Sequence, residues 1–208
     1  MEAGVIKADA LGPPRCNAFL TIIGKLWLRI WGWEIEGSLP SKPKFVIILA
    51  PHTSNWDGLL ILPAAMALGL KFNFLGKKEL FAWPIGGLVR WLGGIPVDRH
   101  ASIDLVGQIV DEVAKRDQVI IGIAPEGTRS LTKYWKSGFY HIAKQANLPL
   151  SFAYLDYDRK RAGFNEGITI SGDVEADLAL IRRFFSKVKP KHPEKAGKVA
   201  FKPHGEHK

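Results

Sequence analysis

One cysteine, Cys16, in 208 residues excludes an intramolecular disulfide and leaves no thiolate cluster for zinc or an iron–sulfur centre, which suits a reducing compartment. Long apolar runs are missing too. The longest stretch of apolar residues and glycine, residues 59–70, falls short of the roughly 20 that a spanning helix needs, and Pro63 interrupts it. The first sixteen residues carry Glu2, Asp9 and Pro13-Pro14 with no basic stretch leading into an apolar one, so no secretory leader is expected. No G-x-S-x-G occurs, which disfavours a serine hydrolase of the nucleophile-elbow type. The histidines lack H-E-x-x-H or any clustered spacing, which disfavours a zinc hydrolase.

What is present suits a folded domain: 47% hydrophobic and 24% charged residues provide both a core and a coat for it. The net charge of +9 is unevenly placed, because residues 182–208 hold nine Lys/Arg against two Glu. A basic tail of this kind suits anionic lipid, nucleic acid or plain solubility equally well on charge alone.

Residues 18–33 (AFLTIIGKLWLRIWGW) are apolar except for Thr21, Lys25 and Arg29, four apart, with Gly24 and Gly32 near the same line. At 100° per residue this is a helix with one narrow polar stripe. Two readings stay open, a helix laid over the core or an interfacial helix with tryptophans at headgroup level and Lys25 and Arg29 snorkelling. After a linker at residues 40–43, short β-branched runs alternate with helical stretches. Residues 44–50 and 118–124 read as buried strands, with further strands at 71–76, 150–157 and 167–172; helices are expected over 56–70, 102–115, 137–145 and 174–188. The alternation predicts a single layered α/β domain with a mixed, largely parallel sheet flanked by helices and preceded by an amphipathic N-terminal helix. The expected organisation is an N-terminal segment (1–43), a central domain (44–188) and a basic tail (189–208).

Two of the buried runs stop in the same way, one at APHTSNWD (50–57) and one at APEGTRS (124–130). Ligands of such sheets bind at the carboxyl ends of strands, so the two stretches are expected at one mouth. His52 and Asp57 would lie about 140° apart on one continuous helix. They can meet if His52 sits on the loop and Asp57 on the first turn of the next helix, with Ser54 or Asn55 as its cap. The carboxylate would then fix the imidazole tautomer and leave the other nitrogen as a general base. Ser54-x-x-Asp57 before an apolar run is equally a capping box, which explains Asp57 without chemistry. In GIAPEGTR (122–129), Thr128 and Arg129 stand where a phosphate loop needs Lys and Ser/Thr, so nucleotide binding is disfavoured. Arg129 could still grip a phosphate bidentately, with Glu126 orienting its fork. Arg99, alone, reads as a surface arginine.

Taken together, these residues resemble the glycerolipid acyltransferase family, which includes 1-acylglycerol-3-phosphate acyltransferases. His52, Ser54 and Asp57 match its H-x4-D block; Gly94 to Arg99 resembles its second block; Pro125 to Ser130 matches P-E-G-T-R-S, followed by Lys136 and Gly138; and Leu148, Pro149 and Leu150 resemble the fourth. Pro51, Pro96 and Ala124 depart from the residues frequent there, which blurs acceptor and acyl-chain specificity. The resemblance implies a glycerol-3-phosphate acyltransferase-like fold and transfer of an acyl group from acyl-CoA or acyl carrier protein to a lysophospholipid hydroxyl. It implies His52 and Asp57 as the catalytic pair, with Arg99, Glu126, Gly127, Thr128, Arg129 and Lys136 at the acceptor, no metal or resident cofactor, and a monotopic enzyme on an anionic, cytoplasmic membrane face. A non-catalytic lipid-binding protein on the same fold is the alternative. A nucleic-acid binder lacks an interleaved basic and aromatic face.

Overall fold

The computed structural model describes residues 11–91, 93–97 and 105–203. Helix α1 (Ala18–Trp31) and the short strand β1 (Glu34–Gly37) precede β2 (Lys44–Leu49), α2 (Trp56–Ala67) and β3 (Asn73–Lys77). A 3-10 turn (Lys78–Phe81) leads to α3 (Gly86–Trp91), β4 (Gly94–Val97), α4 (Leu105–Ala114) and β5 (Val119–Ile123). Then come α5 (Gly138–Gln145), β6 (Leu150–Asp156), β7 (Arg161–Phe164), α6 (Val174–Phe185) and a 3-10 turn at Pro193–Lys195. Among the described residues, the strands form one sheet in the order β1-β7-β6-β2-β5-β3-β4. Neighbours pair in parallel except β6 with β7, so β1 and β7 run against the other five.

The path from β2 to β3 to β4 advances one way across the sheet, and from β4 through β5 to β6 it returns. Right-handed crossovers therefore put α2 and α3 on one face and α4 and α5 on the other. The core divides accordingly. Phe45 and Ile47 of β2 join Leu28 of α1 and Leu60, Ile61 and Ala64 of α2. Val46 and Ile48 join Ile109 of α4, Phe139 and Ile142 of α5, and Ile181 of α6. An uninterrupted β-branched run is what a strand covered on both faces requires.

α1 begins where the Asn17 side chain accepts from Leu20 N at 2.9 Å and ends at Gly32, whose φ of 68° closes a left-handed cap. It docks on α2 through its small residue. A Cβ on Gly24 would lie 2.5 Å from the Pro63 carbonyl and 2.6 Å from Ala67 N. Only Gly24 and Leu28 of the helix are buried, whereas Phe19, Ile22, Leu26, Ile30 and Trp31 are exposed. Its apolar arc thus faces outward, the reverse of an ordinary surface helix.

One expectation changes. Residues 167–172 contribute only an isolated bridge, Ile168 to Leu150; the strand beside β6 is instead β7, whose RAGF carries too few β-branched residues to announce itself. The described part of the basic tail packs on the domain: Trp135 N donates to Ala200 O at 2.8 Å, and Phe201 packs against Phe139 and Tyr140. Partly buried Val199, Ala200 and Phe201 make the contact, and lysines 189, 191, 198 and 202 stay exposed.

Candidate active site

β2 and β5 are adjacent and in register, Ile48 opposite Ile123, so the chain leaves both strands at the same edge of the sheet. His52 stands on the loop after β2 and Asp57 on the first turn of α2. His52 Nδ1 lies 3.0 Å from Asp57 Oδ2, as the loop-then-helix placement requires. Asp57 also makes capping contacts: Oδ2 accepts from Ser54 N at 3.0 Å and Thr53 N at 2.9 Å, while Ser54 Oγ accepts from Trp56 N at 3.2 Å. Asn55, the N-cap residue by position, makes no side-chain cap bond.

Asp57 is almost wholly buried, and Oδ1 accepts from the Tyr157 hydroxyl at 2.7 Å. Burial alone would raise its carboxyl, but the hydrogen bonds from His52, Tyr157, Ser54 and Thr53 outweigh it and hold the carboxyl below its ordinary value. In the tautomer that carries the proton on Nδ1, His52 donates to the carboxylate and Nε2 is free to accept. Tyr157 is pushed the opposite way, by burial first and by Asp57 next, so it remains a protonated donor.

On the second loop, Gly127 adopts φ 65°, and a Cβ there would meet the Lys136 side chain at 2.7 Å. Lys136 N donates to Pro125 O at 2.9 Å, which folds the segment 124–136 back on itself. Glu126 does not orient Arg129. Its buried carboxylate accepts from His52 N at 3.2 Å, joining the two loops, and Oε2 has no partner among the described residues. Burial pushes this carboxyl up, the Asp57 charge adds to that, and the hydrogen bonds from its own amide and that of His52 only oppose it. The fork of Arg129 is left exposed beside Thr128.

His52, Gly127, Thr128, Arg129 and Lys136 line one cleft of about 750 Å³. Its apolar lining includes Phe74, Leu105, Val106, Ile109, Phe139 and Ile142. His52 and the cations Arg129 and Lys136 thus share one cleft with apolar side chains. Arg99 lies outside the described residues. Among the described residues, no cluster of three or more His, Cys, Asp or Glu is arranged to hold a metal. Sequence reasoning missed Tyr157, which lies 100 residues from Asp57 at the end of a strand and carries no local signal.

A sequence model of the family described as "Acyltransferase" matches residues 34–154. The chain is 32% identical over 129 residues to a 1-acyl-sn-glycerol-3-phosphate acyltransferase of Streptococcus pneumoniae, covering 56% of this chain and 46% of that one. It is 28% identical over 171 residues to the chloroplastic 1-acyl-sn-glycerol-3-phosphate acyltransferase BAT2 of Brassica napus, covering 75% and 48%. The chain therefore spans about half the length of these relatives. Among solved structures, it resembles the 1-acyl-sn-glycerophosphate acyltransferase PlsC from Thermotoga maritima with a TM-score of 0.56, 14% identity and coverage of 81% and 78%. At that identity the likeness is one of fold.

Proposed function

The chain belongs to the acyltransferase family, and from that membership we propose that it moves a fatty acyl group from acyl-CoA or acyl carrier protein to the free hydroxyl of a lysophospholipid such as 1-acylglycerol-3-phosphate. The observation that carries this reading is the 3.0 Å contact of His52 Nδ1 with Asp57, with His52 on a cleft lined by both cations and apolar side chains. His52 Nε2 takes the proton of the acceptor hydroxyl as its oxygen attacks the thioester carbonyl. The C–S bond then breaks, and the proton passes from the imidazolium to the leaving thiolate. Asp57 holds the tautomer and stabilises the imidazolium. Arg129 and Lys136 supply fixed positive charge for the acceptor phosphate, and Gly127 lets the loop turn tightly beneath Lys136. Thr128 contributes its hydroxyl at the same wall, and Glu126 fixes the base loop to the phosphate loop. Arg99 remains a second candidate for the phosphate.

The same reading puts the protein on a membrane surface. Phe19, Ile22, Leu26, Ile30 and Trp31 of α1, Leu59 and Leu62 of α2, and Trp83, Leu88 and Trp91 around α3 are exposed large apolar side chains on the α1–α3 side of the sheet. Trp83 is 93% exposed. Patches of this kind mark interaction sites, and interfacial tryptophans favour the headgroup zone. Among the described residues no helix is long and apolar enough to cross a membrane. Monotopic docking on the anionic, cytoplasmic face follows as part of the proposal, with the N-terminal segment as docking element and the exposed lysines after Val188 as electrostatic help.

The test is mass spectrometry of products after the purified protein is offered a panel of lysolipids with both acyl-CoA and acyl carrier protein donors. A diacyl product that requires His52 is the expected result. Lipid binding without any thioester consumption would turn the reading to a non-catalytic lipid-binding protein.

A further inference from the structure

The two oxygens of Asp57 keep different company. Oδ2 receives His52 Nδ1 and the amides of Thr53 and Ser54, whereas among the described residues Oδ1 receives only the Tyr157 hydroxyl, at 2.7 Å. An oxygen held from one side by three donors still lets the carboxylate rock about its bond; a donor on the second oxygen fixes the plane. We propose that Tyr157 is a positioning residue for the His52–Asp57 pair and that residues 188–192 form a strap holding Tyr157 in place, an inference that rests on the acyl-transfer reading of the site.

The strap touches the site at three points. Tyr157 N donates to Lys189 O at 2.8 Å, and His192 N donates to Thr53 Oγ1 at 3.3 Å. Between them, the Lys191 ammonium stands 4.8 Å from the Trp56 ring centroid and 5.9 Å from that of Tyr157. On the other side, the Trp33 ring meets Tyr157 edge-on at 5.0 Å. Backbone, cation and aromatic contacts thus fix the ring from separate elements, and the hydroxyl has one direction left to point. The start of the basic tail is, over these residues, part of the wall of the dyad.

The chemical consequence is specific. A carboxylate that accepts a strong hydrogen bond on Oδ1 is less basic than one that does not, so Tyr157 tempers the pull of Asp57 on the His52 ring. Other charged groups face the pair: Glu126 through the His52 amide, Arg129 and Lys136 across the cleft, Lys191 over Tyr157, and His192 with Glu194 beside Thr53. Replacing the phenol hydroxyl alone leaves all of these in place.

The experiment compares wild type with Tyr157→Phe in full-length protein. The expected result is a kcat roughly tenfold lower with both KM values unchanged. The acid limb of the kcat/KM profile should move to higher pH by about half a unit to one unit, because the untempered carboxylate holds the imidazolium proton more tightly. 3-Fluorotyrosine at position 157, a stronger donor of nearly the same shape, should move the limb the opposite way; it also serves if Tyr157→Phe fails to fold. The downfield Nδ1–H proton resonance of His52 in the resting protein should shift in both variants, a readout that needs no turnover. If wild type transfers no acyl group, that resonance still decides the role of Tyr157, while the functional reading falls alone. An unmoved resonance and pH profile in a folded variant would overturn the proposal.

Discussion

At the scale of single residues, the site separates into groups that act on protons and groups that hold charge, and substitutions should separate them too. His52→Ala is expected to lower kcat by roughly 10²–10⁴-fold without unfolding the protein, since the base is on a loop. Asp57→Asn should come close to it through loss of tautomer control, and steady-state rates beside thermal melts check both. Arg129→Ala should raise the acceptor KM by about tenfold or more and leave the thioester KM little changed, with Arg129→Lys restoring only part because an ammonium cannot reproduce the bidentate fork. An unchanged acceptor KM in both would move phosphate binding to Lys136 or Arg99.

Glu126 makes a pH prediction whose sign differs from that of Asp57. The Asp57 carboxyl is held below its ordinary 3.8, so the stability it contributes is present above that value and is lost as pH falls through its folded value. Glu126 is raised above its ordinary 4.5, so its ionised form is the disfavoured one, and stability is lost as pH rises through the folded value. Glu126→Gln should therefore melt higher than wild type at pH 7, with the difference vanishing below about pH 4.5. Thermal melts at both ends of that window measure it. Equal melting temperatures at pH 7 would mean that Oε2 is satisfied in solution.

At the scale of elements, α1 carries the sharpest contrast between pattern and placement. Gly24 lies near its polar stripe, and Gly24 and Leu28 are its buried residues, with Gly24 closest to α2. Gly24→Leu should lower stability by about 1–3 kcal/mol through overpacking against Pro63 and Ala67, read as a drop of roughly 2–4 °C per kcal/mol in a chain of this size. A variant that melted like wild type would mean that α1 does not rest on α2 there. Replacing Trp27 and Trp31 by serine should instead release the protein from anionic vesicles even at low salt, because exposed Trp31 sits between half-buried Trp27 at 6.0 Å and exposed Trp56 at 5.5 Å. Sedimentation with vesicles checks it; wild-type binding would transfer the membrane contact to the Trp83–Trp91 segment.

At the scale of the whole molecule, the charge and the topology act together. The described part of the basic C-terminal stretch packs on the fold through Phe201 and the strap contacts, so its exposed lysines 189, 191, 198 and 202 stand on the surface of the domain. Charge held this way attracts an anionic surface over about a Debye length, roughly 8 Å at physiological salt, and should make vesicle binding weaken as salt rises. Sheet order decides the rest: β2 and β5 lie side by side although some seventy residues apart in the chain, and their two Ala-Pro exits open on one cleft.

The sequence by itself determined the parts of this protein that are local. Strand exits at Ala50 and Ala124, the five-residue step from His52 to Asp57, the P-E-G-T-R stretch and the surplus of apolar residues on α1 are all short-range patterns, and short-range patterns follow from backbone period and turn geometry. The tertiary structure alone decided which partner each group meets across the fold. It turned the apolar arc of α1 outward, gave the Glu126 carboxylate to the amide of His52 in place of Arg129, and brought Tyr157 to Asp57 across 100 residues. It also drew the tail against the dyad. Such pairings depend on strand order and on which buried group finds a donor, and those are set by the burial of the whole chain at once.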